Sequence, residues 1–574
     1  MREADRAVAR SASSTSDPLA LFSPLVRSWF ADTYREPTAA QAEAWQAISR
    51  GDHTLVIAPT GSGKTLAAFL WSLDRLIRRA SPGGRVLYVS PLRALAVDIE
   101  RNLRGPLGEI RRRARASGIP APDISLGVRT GDTPPSQRRA LIRRPPDILI
   151  TTPESLFLLL TSRAQEALRG VDVVIVDEVH ALADNKRGAH LALSLERLEM
   201  VTGAPVQRIG LSATVRPVET VAEFLGGDRP VRVVHPPASK EFDVRVVVPV
   251  PDMTTPPPPP EPLDDEHRDA DGYPARTTLW PHVVTRLADA IEAHRSTIVF
   301  TNSRRLAERL TAQLNRLAVR RGHSGEVARA HHGSVSREQR RLTEEMLKNG
   351  RIPAVVATSS LELGIDMGAV ELVAQVEPPP SVSAAIQRFG RAGHQLGEIS
   401  RGIVFPKHRS QLVPAAVIVD RMRRGEIETV RIPENPLDVL AQHVVAMAAT
   451  APRHPDELFR VVRRAAPYRR LTRTMFDSVV DLLLGRYASP HLASLRPRLI
   501  LDEPTGTVSA SREAARIALT NAGTIPDRGQ YAVFLAGAEK PSRVGELDEE
   551  MVYESRVGTV FTLGSSSWRI VDIG

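Results

Sequence analysis

Two short stretches, Ala58-Pro-Thr-Gly-Ser-Gly-Lys-Thr65 and Asp177-Glu-Val-His180, combine residue types at spacings suited to phosphate chemistry. In the first, Gly61 and Gly63 let successive backbone N–H groups converge on phosphate oxygens, with Thr60 and Ser62 completing the loop. Lys64 is placed to reach β- and γ-phosphates, and the Thr65 hydroxyl is suited to ligate Mg²⁺. Ala58 stands where the G-x-x-x-x-G-K-[ST] pattern has its first glycine. A flexible strand-to-helix turn is the plainer alternative, but it does not account for Lys-Thr directly after the second glycine. The other stretch closes the apolar run Val173-Val-Ile-Val176. If that run is a strand, Asp177 and Glu178 emerge at its carboxyl edge, where open α/β sheets bind ligands. Otherwise the strand simply runs out into solvated acids. With a phosphate loop elsewhere in the chain, the acids acquire a purpose. Asp177 would hold the Mg²⁺ that bridges the β- and γ-phosphates, and Glu178 would orient and deprotonate the attacking water.

The elements that must position these groups are legible around them. Thr54-Leu-Val-Ile57 precedes the loop as a buried strand, and Leu66-Ala-Ala-Phe-Leu70 follows it as a helix, the context a phosphate loop requires. Farther on, the strand-like Ile298-Val-Phe300 is followed by Thr301-Asn-Ser-Arg-Arg305, Thr358-Ser-Ser-Leu-Glu-Leu-Gly-Ile-Asp366 and Gln387-Arg-Phe-Gly-Arg-Ala-Gly-His394. No second lysine-bearing loop precedes these segments. The economical expectation is a second sheet that completes the first one's ATP site, with Arg391 as an arginine finger and Gln387 near the attacking water. Surface charge on a helix is the plain alternative for the arginine pair.

Composition narrows the partner. The chain has 574 residues, 42% hydrophobic and 25% charged, ordinary for a globular protein of roughly three or four domains. It has no cysteine, which excludes disulfides, Cys-ligated zinc and iron–sulfur clusters. A net charge of +10 suggests an anionic partner, of which nucleic acid is the commonest. No apolar run reaches membrane-spanning length and the first twenty residues lack a signal peptide's apolar centre, so the expectation is a cytoplasmic protein without a membrane partner. His331-His332 has no ligand partners at metal spacing and is expected to be structural.

In order along residues 38 to 394, the chain resembles the superfamily-two DExH helicases, and among them the Lhr (large helicase-related) family. The matching segments are PTAAQ with Gln41, SPLRALAVD (90–98), RTGDT (129–133), TTPESL (151–156), DEVH, LSAT (211–214), VFTNSRR, ATSSLELGIDMG and QRFGRAGH, together with the phosphate loop. The resemblance implies two RecA-like lobes, ATP with Mg²⁺, and 3′-to-5′ movement along single-stranded DNA. It also implies unwinding of duplex DNA or RNA:DNA hybrids, in DNA repair. It implies that Gln41 reads the adenine edge, and that His180, Ser212 and Thr214 couple the phosphate state to the nucleic-acid face. Gly364 and Asp366 would lie on the nucleotide side, Asp366 at the ribose or at the lobe interface. Arg388 would assist Arg391, because His394 stands where many relatives carry another arginine. Arg93, Thr152, Ser303, Arg304, Arg305, Thr358 and Ser359 fall in segments that grip one strand's backbone without reading sequence. An ATP-gated clamp or RNA helicase that does not unwind DNA processively, and a remodeller sharing the same motor, are the competing expectations.

The resulting organisation is α/β. After a flexible N-terminus (1–18), lobe one occupies 19–235 and lobe two 236–430, with a proline-rich insertion at 251–272 that favours extended chain. Leu437, Leu440, Val444 and Met447 share one helical face, and Phe476, Val479, Val480 and Leu483 another. With the strand-like Arg498-Leu-Ile-Leu501 and the turn Glu503-Pro-Thr-Gly506, they predict a winged helix over 431–510, a domain the family also carries. Residues 511–574 read as the beginning of a further, mainly β domain, cut short within a strand pattern. Trp568, on one of those strands, is expected in a core rather than stacked on a base.

Overall fold

The computed structural model describes residues 17–59, 61–78, 84–120, 123–237, 240–258, 279–364, 367–393, 398–486, 496–525, 530–537, 543–548, 552, 555–563 and 566–573. Backbone contacts divide the chain into two compact units. One contains Ser62–Pro237 and Val430–Thr524 with the residues up to Ala58; the other contains Ala238–Thr429 and Ile525–Gly574 together with Pro59–Gly61.

The first unit is built on seven parallel strands: β1 (Thr54–Ile57), β2 (Arg85–Val89), β3 (Leu126–Arg129), β4 (Ile148–Thr151), β5 (Val171–Val176), β6 (Gln207–Ser212) and β7 (Arg232–Val234). Their spatial order is β3-β4-β2-β5-β6-β1-β7, so β6 lies between the strand that feeds the phosphate loop and the strand that feeds the acids. Successive side chains point to opposite faces, and both faces are covered. Leu55, Ile57, Val174 and Val176 enter one core, while Val56, Val173 and Ile175 enter the other. The register sets Ile57 against Ser212 and Val89 against Val176, aligning the carboxyl ends of β1, β2, β5 and β6.

The winged helix belongs to this unit. Helices Leu437–Ala448, Pro455–Arg464 and Arg473–Leu484 precede an antiparallel hairpin, and a fourth helix, Arg512–Thr520, follows it. The hairpin's strands are β14 (Leu499–Asp502) and β15 (Thr507–Ala510), counted in chain order after six strands of the second unit. Phe476, Val479, Val480 and Leu483 are buried as their spacing predicts, and so are Leu440, Val444 and Met447. Leu437 departs from its expected face. It opens its helix and remains 41% exposed. These helices share a continuous core with lobe one and add an ionic seam. Arg464 pairs with Glu199 at 2.5 Å and Glu196 at 3.1 Å, and the same carboxylates hold Arg208 and Arg229 of lobe one.

The second unit carries six parallel strands: β8 (Phe242–Val246), β9 (Thr297–Phe300), β10 (Ala328–His331), β11 (Ala354–Ala357), β12 (Leu372–Val376) and β13 (Ser400–Phe405), ordered β10-β11-β9-β12-β13-β8. Two antiparallel hairpins follow late in the chain: β16 (Gln530–Phe534) with β17 (Arg543–Asp548), and β18 (Val560–Leu563) with β19 (Ser566–Arg569). Trp568 faces Phe561 across the second hairpin and packs in the small cluster around Leu547 and Phe561. The α/β class, the two parallel sheets, the winged helix and the closing antiparallel pieces therefore match what the sequence predicts. Most of the proline-rich insertion lies outside the described residues. Among the described residues, no helix is long and apolar enough to cross a membrane.

Candidate nucleotide and nucleic-acid sites

The phosphate loop is shaped by two left-handed glycines, with φ of +83° at Gly61 and +78° at Gly63, leading into helix Lys64–Arg78. Thr38 caps helix Ala39–Ser49 in a reciprocal box with Gln41, and both residues also hold the loop. The Thr38 hydroxyl donates to the Ser62 carbonyl at 3.3 Å, and the Gln41 amide donates to the Gly63 carbonyl at 3.3 Å. The left-handed φ at Gly63 strains any other residue there, and a Cβ would lie 2.4 Å from Gln41 Nε2 and displace that amide from the loop. Lys64 is buried, its ammonium 3.3 Å from the Ser212 carbonyl at the end of β6. Ser62 is buried and Thr65 half-buried in the first helical turn; Thr60 lies outside the described residues.

Asp177 and Glu178 sit at the carboxyl end of β5, each 6% exposed. The Tyr88 hydroxyl, from β2, donates to the Asp177 carboxylate, and the Asp177 backbone N–H donates to the Val89 carbonyl at 2.9 Å. Burial, then the neighbouring Glu178 charge, pushes the Asp177 carboxyl upward, while the Tyr88 hydrogen bond and Lys64 pull the other way. Glu178 has φ of +45°, a conformation a non-glycine residue pays strain to hold. Two buried carboxylates beside one ammonium leave net negative charge where burial disfavours it, and a divalent cation fits that imbalance. Among the described residues no group of three or more acids and histidines gathers as a metal cage. A cation there would thus draw on few protein ligands, as one held chiefly by phosphate oxygens does.

His180 connects the acids to β6. Its Nδ1 accepts from the Ala213 N–H at 3.2 Å and lies 3.2 Å from the Ser212 hydroxyl. Glu178 Oε2 is 3.6 Å from the same nitrogen. A nitrogen that accepts from a backbone N–H carries no proton, and burial lowers the pKa of this histidine, so the contact with Glu178 is not an ion pair. Thr214 is half-buried two residues beyond Ser212.

In the second unit, Arg388 and Arg391 lie at and just beyond the end of helix Val382–Phe389, both 3% exposed. Arg388 is held by Glu362, by Asn302 at 3.0 Å and by Gln375 at 2.8 Å, with its guanidinium 5.3 Å from the Phe300 ring centroid. The Arg391 guanidinium donates to the Glu362 carbonyl at 2.7 Å. Lys240 donates to the Gly390 carbonyl at 2.7 Å, and burial, followed by the Arg391 charge, lowers its pKa to about 8. Gln387 and Gly364 are half-buried, while Asp366 and His394 lie outside the described residues. Tyr88, Glu362, Gln375 and Lys240 were not singled out by sequence. A tyrosine in the otherwise aliphatic Val86-Leu-Tyr-Val89 was the available signal for the first.

The strand-gripping candidates fall into different environments. Arg93 is 62% exposed and pairs with Asp132 of the Arg129–Thr133 loop at 2.8 Å. Thr152 is buried as the N-cap of helix Pro153–Thr161, its hydroxyl occupied by Ser155. Ser303 caps helix Arg304–Arg320; Arg304 donates to the Ser334 hydroxyl at 2.9 Å, and Arg305 is exposed. Thr358 is half-buried and Ser359 exposed after β11. His331 bonds Ser360 and Glu344, and His332 bonds Glu308, which gives both imidazoles structural partners.

Two parallel sheets bearing these motifs define the superfamily-two helicase class. Three family profiles cover the chain: DEAD/DEAH box helicase over residues 38–223, helicase conserved C-terminal domain over 282–395, and the winged-helix domain of large helicase-related protein over 420–574. The chain is 58% identical over 590 residues to the Lhr helicase/probable uracil glycosylase of Mycolicibacterium smegmatis, covering 97% of this chain and 38% of that protein. It is 51% identical over 592 residues to the Lhr helicase/uracil glycosylase of Escherichia coli K12, covering 96% of this chain and 38% of that one. The solved structure of Mycobacterium smegmatis helicase Lhr bound to single-stranded DNA and AMP-PNP superposes with a TM-score of 0.82 at 57% identity, covering 96% of this chain and 68% of that chain. The chain belongs to the Lhr family of ATP-dependent helicases.

Proposed function

We propose that this chain is an ATP-dependent translocase and helicase that moves 3′-to-5′ along single-stranded DNA and unwinds duplex DNA or RNA:DNA hybrids in DNA repair, working in the cytoplasm. The observation that carries the reading is the convergence of Lys64, Asp177, Glu178 and Ser212 at adjoining strand ends. The Lhr relative solved with single-stranded DNA and AMP-PNP supports the choice of strand and nucleotide.

In this proposal the loop from Thr60 to Thr65 binds the ATP phosphates, Gln41 takes the adenine with the hydrogen-bonding capacity left after capping, and Thr65 and Asp177 hold Mg²⁺. The ion supplies charge neutralisation to the phosphates when bound. Glu178 accepts the proton of the attacking water, Arg391 stabilises developing charge, and Gln387 orients the water. Gly364, Asp366 and Arg388 support that side. His180, Ser212 and Thr214 relay the phosphate state. Arg93, Ser303, Arg304, Arg305, Thr358 and Ser359 hold the strand, with Thr152 contributing main-chain groups because its hydroxyl is occupied.

Steady-state ATP hydrolysis with and without single-stranded DNA tests this, with Lys64→Ala as the control. DNA stimulation that the substitution abolishes is expected. Equal rates with and without DNA would overturn the nucleic-acid assignment. A strand-displacement assay on 3′-tailed duplexes then separates a helicase from an ATP-gated clamp, which would hydrolyse ATP without releasing the strand.

A further inference from the structure

Within the first unit, a cavity of about 140 Å³ opens between lobe one and the winged helix, lined by Arg169, Arg197 and Arg453 with Gln165, Thr450 and Met447 among its walls. No acidic residue lines it. Arg169 and Arg453 each have a carboxylate behind them, Glu166 at 2.8 Å and Glu457 at 2.7 Å. Arg197 differs. It is 3% exposed, and its named partners are all neutral: the Thr161 hydroxyl at 3.0 Å, His443 Nδ1 at 3.4 Å and the face of Phe157. Burial alone lowers its pKa, to about 9. On the opposite wall, the buried Nε of Arg453 has no hydrogen-bond partner. A buried guanidinium without an anion is costly, and planar N–H forks recognise tetrahedral oxyanions bidentately.

We propose that this cavity is a binding site for a small oxyanion of the phosphate class, which bridges lobe one to the winged helix through Arg197 and Arg453. The site stands apart from the nucleotide residues. Gln165 and Arg169 precede β5, and Arg197 lies on helix Lys186–Thr202, which leads into β6, so the cavity is at the amino edge of the sheet. Asp177 and Ser212 are at its carboxyl edge. Occupancy would neutralise Arg197 and tie the two modules without competing for the phosphate loop.

The test is thermal unfolding of the full chain in inorganic phosphate against potassium chloride at matched ionic strength, for wild type, Lys64→Ala and Arg453→Gln. Near saturation, phosphate is expected to raise the transition by roughly 3 °C in wild type and in Lys64→Ala, and by less than half of that in Arg453→Gln. Should Arg453→Gln fail to fold, Arg169→Gln, on an exposed side chain, carries the same expectation. A rise that disappears in Lys64→Ala would place the anion in the phosphate loop and overturn the proposal. So would a full rise in the arginine variants, or none in wild type.

Discussion

The two parallel sheets are built alike, yet the buried charged groups set beside them differ in sign. The first sheet presents Asp177 and Glu178 beside a single lysine, with Glu178 strained at φ of +45° and Asp177 pushed toward its neutral form by burial. The second presents the cations Lys240 and Arg391, close enough that the arginine's charge lowers the lysine's pKa, together with Arg388, which a carboxylate, two amides and an aromatic ring enclose. A common fold fixes where reactive side chains emerge, and the loop sequences decide their charge. Strain and imbalance mark a site poised for a ligand, whereas full satisfaction marks a structural group. The contrast supports the proposal that Glu178 and Arg391 serve turnover, and it gives Arg388 a structural part beside its proposed supporting role.

That assignment is open to direct attack. Glu178→Gln keeps the shape and removes the base, and Arg391→Ala removes the proposed finger; each is expected to lower DNA-stimulated kcat by about a thousandfold while leaving the unfolding transition in place. Arg388→Met should do the reverse within its own unit. It strands Glu362 in a buried network and should cost about 3–5 kcal/mol, read as a lowered unfolding midpoint. If Arg391→Ala unfolds the protein and Arg388→Met only slows it, the roles are exchanged.

The chemistry was legible in the sequence because each motif is local. Gly61, Gly63, Lys64 and Thr65 are contiguous, as are Asp177 and Glu178, and the apolar run before each predicts the strand that positions it. What surrounds them was not legible. Tyr88 reaches Asp177 from a different strand, and Glu362, Gln375 and Asn302 close on Arg388 from three separate segments. Nothing in the spacing of residue 388 names those partners. By motif Thr152 belongs with the strand-gripping residues, but the proline after it starts a helix and turns its hydroxyl into a cap. The seam through Arg464 joins residues far apart in sequence, which periodicity within one helix cannot reveal.

Buried histidines extend the comparison to pH. In the first unit the His190 and His443 rings meet edge to face with centroids 4.6 Å apart, and burial, the largest cause for both, pulls His190 to about 3 and His443 well below the usual range. In the second unit His331 and His332 face Glu344 and Glu308 instead. A folded-state pKa below the unfolded value means the unfolded chain binds the proton more readily. The stability these two histidines permit is therefore complete above about pH 6.5 and falls as the pH drops toward the folded values. Between pH 7 and 5 each is expected to remove about 2 kcal/mol from the first unit. Denaturant unfolding at the two pH values checks this, and His443→Phe should flatten the dependence by about half. A first unit indifferent to pH over that range would show that water reaches these rings.

The smallest expected effects separate two strand-contact candidates within lobe one. Arg93 projects into solvent beside Asp132, so its contribution to a bound strand would be a phosphate contact rather than packing. Arg93→Ala should weaken single-stranded DNA binding several-fold at low salt and reduce the log–log salt slope by about 0.7, the counterion release of one contact. Thr152→Val should leave that slope unchanged, because the hydroxyl it removes caps a helix and faces Ser155. Its loss should be read in stability, at about 1 kcal/mol. Equal changes in slope would mean that the strand reaches the buried hydroxyl and that the cap opens on binding. No change in either would move the charge contacts off lobe one, onto the arginines that begin helix Arg304–Arg320.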